Sequence, residues 1–249
     1  MQKTKSSRDY LLYFVLKNKG NWQEIYKEIS SRTSPTDDEY ESVVGTFNQK
    51  FITILDKEYP ESLKQGYKPP FVLFYQGNLN LLKAESKLAI GTSKSSNIKY
   101  RQMADLVLGM QEKDCFVLSN SGKLNSYLAS FYSNSKIIVL NRPLNEFIDE
   151  TRGDHLVLTE VPPTATATLE TEMLSQRIIS GISSKILIVS CQNKGSEVIL
   201  INFALSQGKE IMVIPTDIFD KEVINNQFLT EGAIPISNAV DLKYMLQKQ

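Results

Sequence analysis

With one histidine in 249 residues, the chain has no room for a metal centre built on imidazoles. That residue, His155, opens a short apolar run and reads as a surface or core imidazole, not as a general base. Two cysteines, Cys115 and Cys191, are too few for a disulfide framework. Both fall at the ends of expected strands and read as reduced core thiols, with no histidine placed to make Cys191 a nucleophile. Net charge is also missing: 28 Lys plus Arg face 28 Asp plus Glu, so any polyanion must be held by a local patch. No apolar run is long enough to cross a bilayer. Leu11 to Leu16 is too short for a secretory segment and no small-residue cleavage site follows, so a cytoplasmic protein without membrane contact is expected. Neither a G-x-G-x-x-G run nor a P-loop G-K-[ST] occurs, which leaves NAD and ATP without support. No cofactor and no metal are expected. Repeats and low-complexity stretches are absent, and 41% hydrophobic with 22% charged residues is the balance of an ordered globular chain.

What is present centres on residues 174 to 216. Ile186 to Val189 and Ile211 to Ile214 are short, β-branched and without polar alternation, as strands buried on both faces are. Between them Val198, Ile201, Phe203, Ala204 and Leu205 recur at helical spacing, and Gly208 stands where a left-handed C-terminal cap is wanted. This is a βαβ unit whose helix starts just after Lys194, Gly195 and Ser196, with N–H groups at the positive end of a dipole where an anion can sit. From Lys87 onward strand and helix alternate: strands at 88–90, 116–118, 137–140, 156–158 and 234–236, and helices at 124–132, at 227–231 and from Ala239, with one carrying Met103, Leu106, Val107 and Met110. The pattern predicts an α/β fold, a Rossmann-like doubly wound parallel sheet of about six or more strands, with ligands beyond the strands' carboxyl ends. Residues 1–50 carry three helical patterns and form a small N-terminal helical module, in which Trp22 and Tyr26 are spaced as core packing. Residues 51–249 form the extended Rossmann-like domain, opening with two strands, Phe51 to Asp56 and Phe71 to Asn78, joined by a proline-bearing loop.

From about Phe51 to Asp241 the chain resembles the DNA-processing protein A family, also called DprA or Smf, of bacterial natural transformation. The resemblance rests on Tyr59-Pro60-x-x-Leu63, Pro69-Pro70-x-Leu73-Phe74-x-x-Gly77 and Leu158-Thr159-Glu160-x-Pro162-Pro163. It continues in Arg177-Ile178-Ile179-Ser180-Gly181-Ile182-Ser183, in Gly195-Ser196, and in Asn226-x-x-Leu229-x-x-Gly232-Ala233. The family's G-S-R-x-x-S loop reads Gly91-Thr92-Ser93-Lys94-Ser95-Ser96 here, with a lysine one place after the missing arginine. Its S-G-x-A-x-G-I-D loop survives as Ser119-Asn120-Ser121-Gly122-Lys123. Its F-P-x-R-N-R run reads Glu172-Met173-Leu174-Ser175-Gln176-Arg177, so one arginine and the stacking aromatic are gone.

The resemblance implies a non-enzymatic protein that binds single-stranded DNA, protects incoming DNA, assists loading of a RecA-type recombinase, and pairs as a homodimer through its C-terminal part. Ile218, Phe219, Val223 and Phe228 supply an apolar set for that pairing, or for the core. Candidate DNA contacts are Gly91, Ser93, Lys94, Ser96, Gly122, Lys123, Arg177, Lys194, Gly195, Ser196 and Asn226. Plainer roles stand beside them: Gly91 and Gly122 suit turns, Lys94 and Lys123 are loop lysines, Gly195 and Ser196 cap a helix, and Arg177 favours a helix dipole four residues before the glycine expected to end it. Two other functions fit the fold. One is a nucleotide phosphoribohydrolase, which needs a P-G-G-x-G-T-x-x-E loop where this chain offers Lys194-Gly195-Ser196-Glu197. The other is a family member that has lost its DNA contacts and serves as a partner-binding scaffold.

Overall fold

The computed structural model describes residues 5–93, 114–217, 219–220 and 222–248. Lys94, Ser96, Ile218 and the helix expected around Met103 to Met110 lie outside the described residues. Nine strands form one sheet: β1 (Lys50–Thr53), β2 (Val72–Gly77), β3 (Lys87–Thr92), β4 (Cys115–Ser119), β5 (Lys136–Val139), β6 (His155–Thr159), β7 (Lys185–Ser190), β8 (Ile211–Val213) and β9 (Ile234–Pro235). Their order is β1-β2-β6-β5-β4-β3-β7-β8-β9. β3 to β9 pair in parallel, as the alternating pattern predicts, and β1 and β2 extend the sheet antiparallel beyond β6. β1 is shorter than expected because Thr53 N donates to Asp56 Oδ2 at 2.7 Å and turns the chain.

Alternate residues of each strand feed opposite faces. Ala89, Val117, Ile137, Leu156, Ile186 and Ile188 pack under α6 (Leu169–Ile182) and α7 (Ser196–Ser206). Leu88, Ile90, Phe116, Leu187 and Val189 pack under α5 (Lys123–Phe131) and the last helix, Ala239–Gln247. β7 therefore lies inside the sheet with both faces covered, which its unbroken apolar run requires. The N-terminal helices α1 (Ser7–Lys17), α2 (Trp22–Ser30) and α3 (Asp37–Val44) share a third core cluster with Val72, Phe74, Ile138 and Val157. Gly208 has φ +68°, and its N–H and that of Lys209 close onto Leu205 and Ala204, the Schellman pattern that ends α7. Among the described residues no helix is long and apolar enough to cross a membrane.

Gly181 does not end its helix. α6 runs on to Ile182, and a Cβ on Gly181 would stand 2.7 Å from Leu63 Cδ1 and 3.2 Å from Leu63 Cα. The glycine lets the short helix α4 (Glu61–Lys64) lie against α6, where Ser62 Oγ donates to Gly181 O at 2.6 Å.

Arg177 is also placed differently from a DNA contact. Its side chain is 2% exposed, and Nη2 donates to Glu160 Oε2 just beyond β6. Helical spacing put this residue near a dipole; the tertiary fold instead turns it inward, onto a carboxylate from the Glu160-x-Pro162-Pro163 motif. Tyr59, close enough to feel both charges, is buried beside them and donates its hydroxyl to Pro70 O at 2.8 Å. Four motifs that are far apart in sequence thus converge on one buried knot. Burial pushes the Glu160 carboxyl up, and Arg177 opposes that shift.

A second buried cation, Lys136, is 0% exposed. Its Nζ donates to Tyr132 O, Asn134 O and Arg152 O at 2.5, 2.8 and 2.6 Å, which closes the carbonyls beyond α5. Burial pulls its ammonium down to about 8 from the usual 10.5.

Two outcomes are expected. Arg177→Ala leaves a buried carboxylate unpaired and should cost about 3 to 5 kcal/mol in denaturant unfolding, in part recovered by adding Glu160→Gln; an unchanged midpoint would mean the pair holds nothing. For Lys136, the unfolded chain holds the proton more tightly between pH about 8 and 10.5, so the folded state gains stability as pH rises through that window and loses it as pH falls through about 8. Unfolding at stepped pH should show wild type gaining on Lys136→Met across it; a constant difference would contradict the assignment.

Candidate functional site

From β3 the chain steps through β4, β5 and β6 to one side, then crosses by α6 to β7, β8 and β9 on the other. The switch point lies between β3 and β7, and in an open α/β sheet the crevice beyond the carboxyl ends at that point is where ligands bind. Ser93 and Ser190 continue the pairing there: Ser93 N donates to Ser190 O at 2.9 Å and their hydroxyls are 2.9 Å apart. Above them opens a cleft of about 460 Å³, lined by Ser93, by Leu169, Glu172 and Met173 of α6, and by Gln192 to Glu197 without Asn193, with Ile199.

Gly91 does not reach this cleft as a ligand. A Cβ there would stand 2.6 Å from Ile188 Cδ1 and 3.4 Å from Leu200 Cδ2, so the residue serves close packing of β3 beneath α7. Gly195 lets a carboxylate tuck in: a Cβ on it would stand 2.2 Å from Glu197 Oε2. Glu197 is 6% exposed in the first turn of α7, and Ser196 Oγ is 3.4 Å from its Oε1. The N-terminus expected to receive an external anion at Lys194, Gly195 and Ser196 therefore already holds the chain's own carboxylate.

The loop after β4 is different. Gly122, at φ +92°, is the N-cap of α5, and a Cβ on it would sit 3.5 Å from Thr92 Cγ2, so this loop meets the end of β3. Ser119 Oγ accepts from Asn125 Nδ2 at 2.8 Å, Asn120 Nδ2 donates to Asn141 Oδ1 at 3.1 Å, and Thr171 Oγ1 donates to Asn141 O at 2.8 Å. Serine, asparagine and threonine side chains thereby tie the loops after β4 and β5 to the first turn of α6. Lys123 is exposed as the first residue of α5, a helix start with no side-chain cap and no acid in its first turn. A cation at that positive end opposes the dipole, so helix stability does not account for it. Lys194 is exposed one residue before the N-cap of α7. Both lysines follow parallel strands, Lys123 after β4 and Lys194 after β7, and so lie on the carboxyl-end side of the sheet.

Asn226 commits its side-chain amide to backbone. Its amide donates to Thr216 O at 2.8 Å and accepts from Thr216 N at 3.1 Å, holding the loop after β8. Its neighbour Asn225, missed in the sequence, is 0% exposed: Oδ1 accepts from Cys191 N at 2.8 Å, and Nδ2 donates to Val189 O and Ile214 O at 3.0 and 2.8 Å. It clamps the diverging ends of β7 and β8. Burial pushes the Cys191 thiol up to about 12, far from a thiolate nucleophile. His155 lies at the amino end of β6 between Gly153 O, 3.0 Å away, and Asp149 Oδ2, 2.8 Å away. Among the described residues no three His, Cys, Asp or Glu side chains are grouped to hold a metal ion.

Known proteins align with this frame. The profile of the family described as DNA recombination-mediator protein A matches residues 50–122 and 133–247. DNA processing protein DprA of Streptococcus pneumoniae is 26% identical over 189 residues, 69% of this chain and 66% of that protein. DNA processing protein DprA of Bacillus subtilis is 28% identical over 205 residues, 77% of this chain and 69% of that one. The chain thus spans about two thirds of the length of these relatives. In structure it is similar to DNA processing protein A from Streptococcus pneumoniae, with TM-score 0.77 at 19% identity over 99% of this chain and 100% of that one. It is also similar to the same-named protein of Helicobacter pylori, a structure concerned with that protein's single-stranded DNA binding mode, with TM-score 0.68 at 19% identity over 80% and 96% of the two chains. With the profile matched over most of its length, including the motifs that meet at Arg177 and Glu160, the chain belongs to the DNA recombination-mediator protein A family.

Proposed function

We propose that the protein binds single-stranded DNA along the carboxyl-end rim, without catalysis, and serves DNA processing in natural transformation by protecting incoming strands and assisting a RecA-type recombinase. The observation that carries this is Lys123 at the uncapped, acid-free start of α5, on the carboxyl-end side of the sheet that also holds Lys194 and the cleft. A phosphate oxygen there meets an ammonium and the free N–H groups of a helix start together. We keep Ser93 as a further contact, and Lys94 and Ser96, which follow it in sequence, as candidates. That the family is one of DNA recombination mediators, and that the Helicobacter relative is a single-strand binder, supports the partner assignment. The hydrolase reading needs a glycine-rich P-G-G-x-G-T-x-x-E loop, and Glu197, although it lines the cleft, is only 6% exposed behind Lys194-Gly195-Ser196. We further propose a homodimer through the C-terminal part. In support, Phe219 is 81% exposed, and a 190 Å³ cleft lined by Ile201, Leu205, Phe228 and Ile234 opens beside the short edge strand β9.

Affinity for an oligonucleotide should fall steeply with added salt, and Lys123→Ala or Lys194→Ala should each lower the log–log slope by about one while weakening all sequences alike. Gel shifts over a salt series check this; no binding at low salt, or variants with unchanged slope, would leave the scaffold function in its place. Light scattering should give a dimer mass that Phe219→Asp shifts toward monomer, whereas a concentration-independent monomer mass for wild type would contradict the pairing.

A further inference from the structure

Outside the crevice, a row of aromatic rings crosses the surface. Trp22, the chain's one tryptophan, stands parallel to Tyr26 at 5.1 Å between ring centres and 9°, and to Phe71 at 5.3 Å and 24°. Lys68 Nζ lies 5.6 Å from the Trp22 ring and 5.4 Å from the Tyr67 ring, and Tyr67 stacks on Phe203 at 6.3 Å and 29°. The sequence spacing of Trp22 and Tyr26 suggested core packing, and Trp22 does bind the sheet domain, its Nε1 donating to Pro69 O at 3.0 Å. Core packing does not explain two rings of the row: Tyr26 is 55% exposed and Tyr67 is 60% exposed. Nor does it explain Lys68, which holds a left-handed backbone at φ +44° and so puts its ammonium between two rings.

The row begins on the edge of the sheet that carries the crevice. Phe71 precedes β2, which runs antiparallel to β6 with Phe74 opposite Thr159, so Phe71 lies beyond the carboxyl end of β6. In the crevice itself Glu172 stands at the position where the family resemblance calls for a stacking aromatic.

We infer that this row is a second contact surface for single-stranded nucleic acid, with bases stacking on the exposed rings of Tyr26 and Tyr67 and a phosphate on Lys68. The inference rests on the single-strand reading above and adds what the rim cannot supply. Lysines on phosphates hold duplex and single strand alike, whereas an aromatic face accepts only a base that is free of its helical stack. The row is therefore the source of preference for single strands, and it tolerates any sequence because every base has a π-face.

The test titrates the full chain with oligothymidylate, with an abasic oligomer of equal length, and with duplex, following both affinity and Trp22 emission. Oligothymidylate should change the emission; the abasic oligomer should bind through phosphates and leave it nearly unmoved. Tyr26→Ala with Tyr67→Ala should weaken oligothymidylate about tenfold or more and leave abasic binding unchanged. Lys68→Gln, which keeps the rings, should weaken both oligomers a few-fold. Lys123→Ala with Lys194→Ala should lower affinity and salt slope yet preserve the emission change at saturation. Unmoved emission at saturation, with full affinity in the tyrosine variant, would overturn the row and leave the rim standing. If no oligomer binds, the single-strand reading fails and the row fails with it.

Discussion

Arg177 and Glu160 join the end of β6 to the middle of the helix that carries the chain across the sheet, beside the apolar contacts that the two already share. That helix, α6, decides on which side of β3 the next strand is laid, and so where the switch point and its cleft are. Both partners are taken from water, and a buried pair of this kind is a weak net stabiliser whose rupture is expensive. Its role is better described as selecting one arrangement. With the guanidinium seated on Glu160 and Gly181 pressed against Leu63, the first turns of α6 are held over the cleft, where Glu172 and Met173 line it.

The rim above is polar, cross-bonded and sparsely charged. Ser119, Asn120, Asn141 and Thr171 spend their hydrogen bonds on one another and on backbone, so the loops are shaped before any ligand arrives. The helix starts at the rim differ in kind. α6 is capped by Thr168 and carries Glu170 and Glu172 in its first turn, and α7 carries Glu197, whereas α5 presents Lys123 and no acid, which is why the proposed phosphate contact is placed there. On that proposal few contacts would hold a polyanion to a molecule without net charge, and binding would be sensitive to ionic strength.

Much of the fold was legible because burial on two faces leaves a local trace. Ile186 to Val189 has no polar alternation and lies between β3 and β8, and Gly208 takes the left-handed cap its position suggests. The site was less legible because its residues are assigned by distant partners. Nothing near Arg177 in sequence announces that Glu160, across the crossover, will take its guanidinium. Gly181 looked like a helix end and is a contact glycine for Leu63. Asn225 clamps Val189, Cys191 and Ile214, a role visible only once β7 and β8 diverge. Helical spacing placed Trp22 and Tyr26 in a core, but which ring stays open depends on how α2 meets Phe71. The departures from the family's loops were readable directly, and one of them, Glu172, lines the cleft.

The most direct measurement is hydrogen exchange of backbone amides with and without oligothymidylate. Binding at the carboxyl-end rim predicts slowed exchange in residues 119–126 and 192–198, with the amino-end loop around Asp149 to His155 unchanged. Protection confined to that amino-end loop, or no protection anywhere at saturating oligonucleotide, would contradict it.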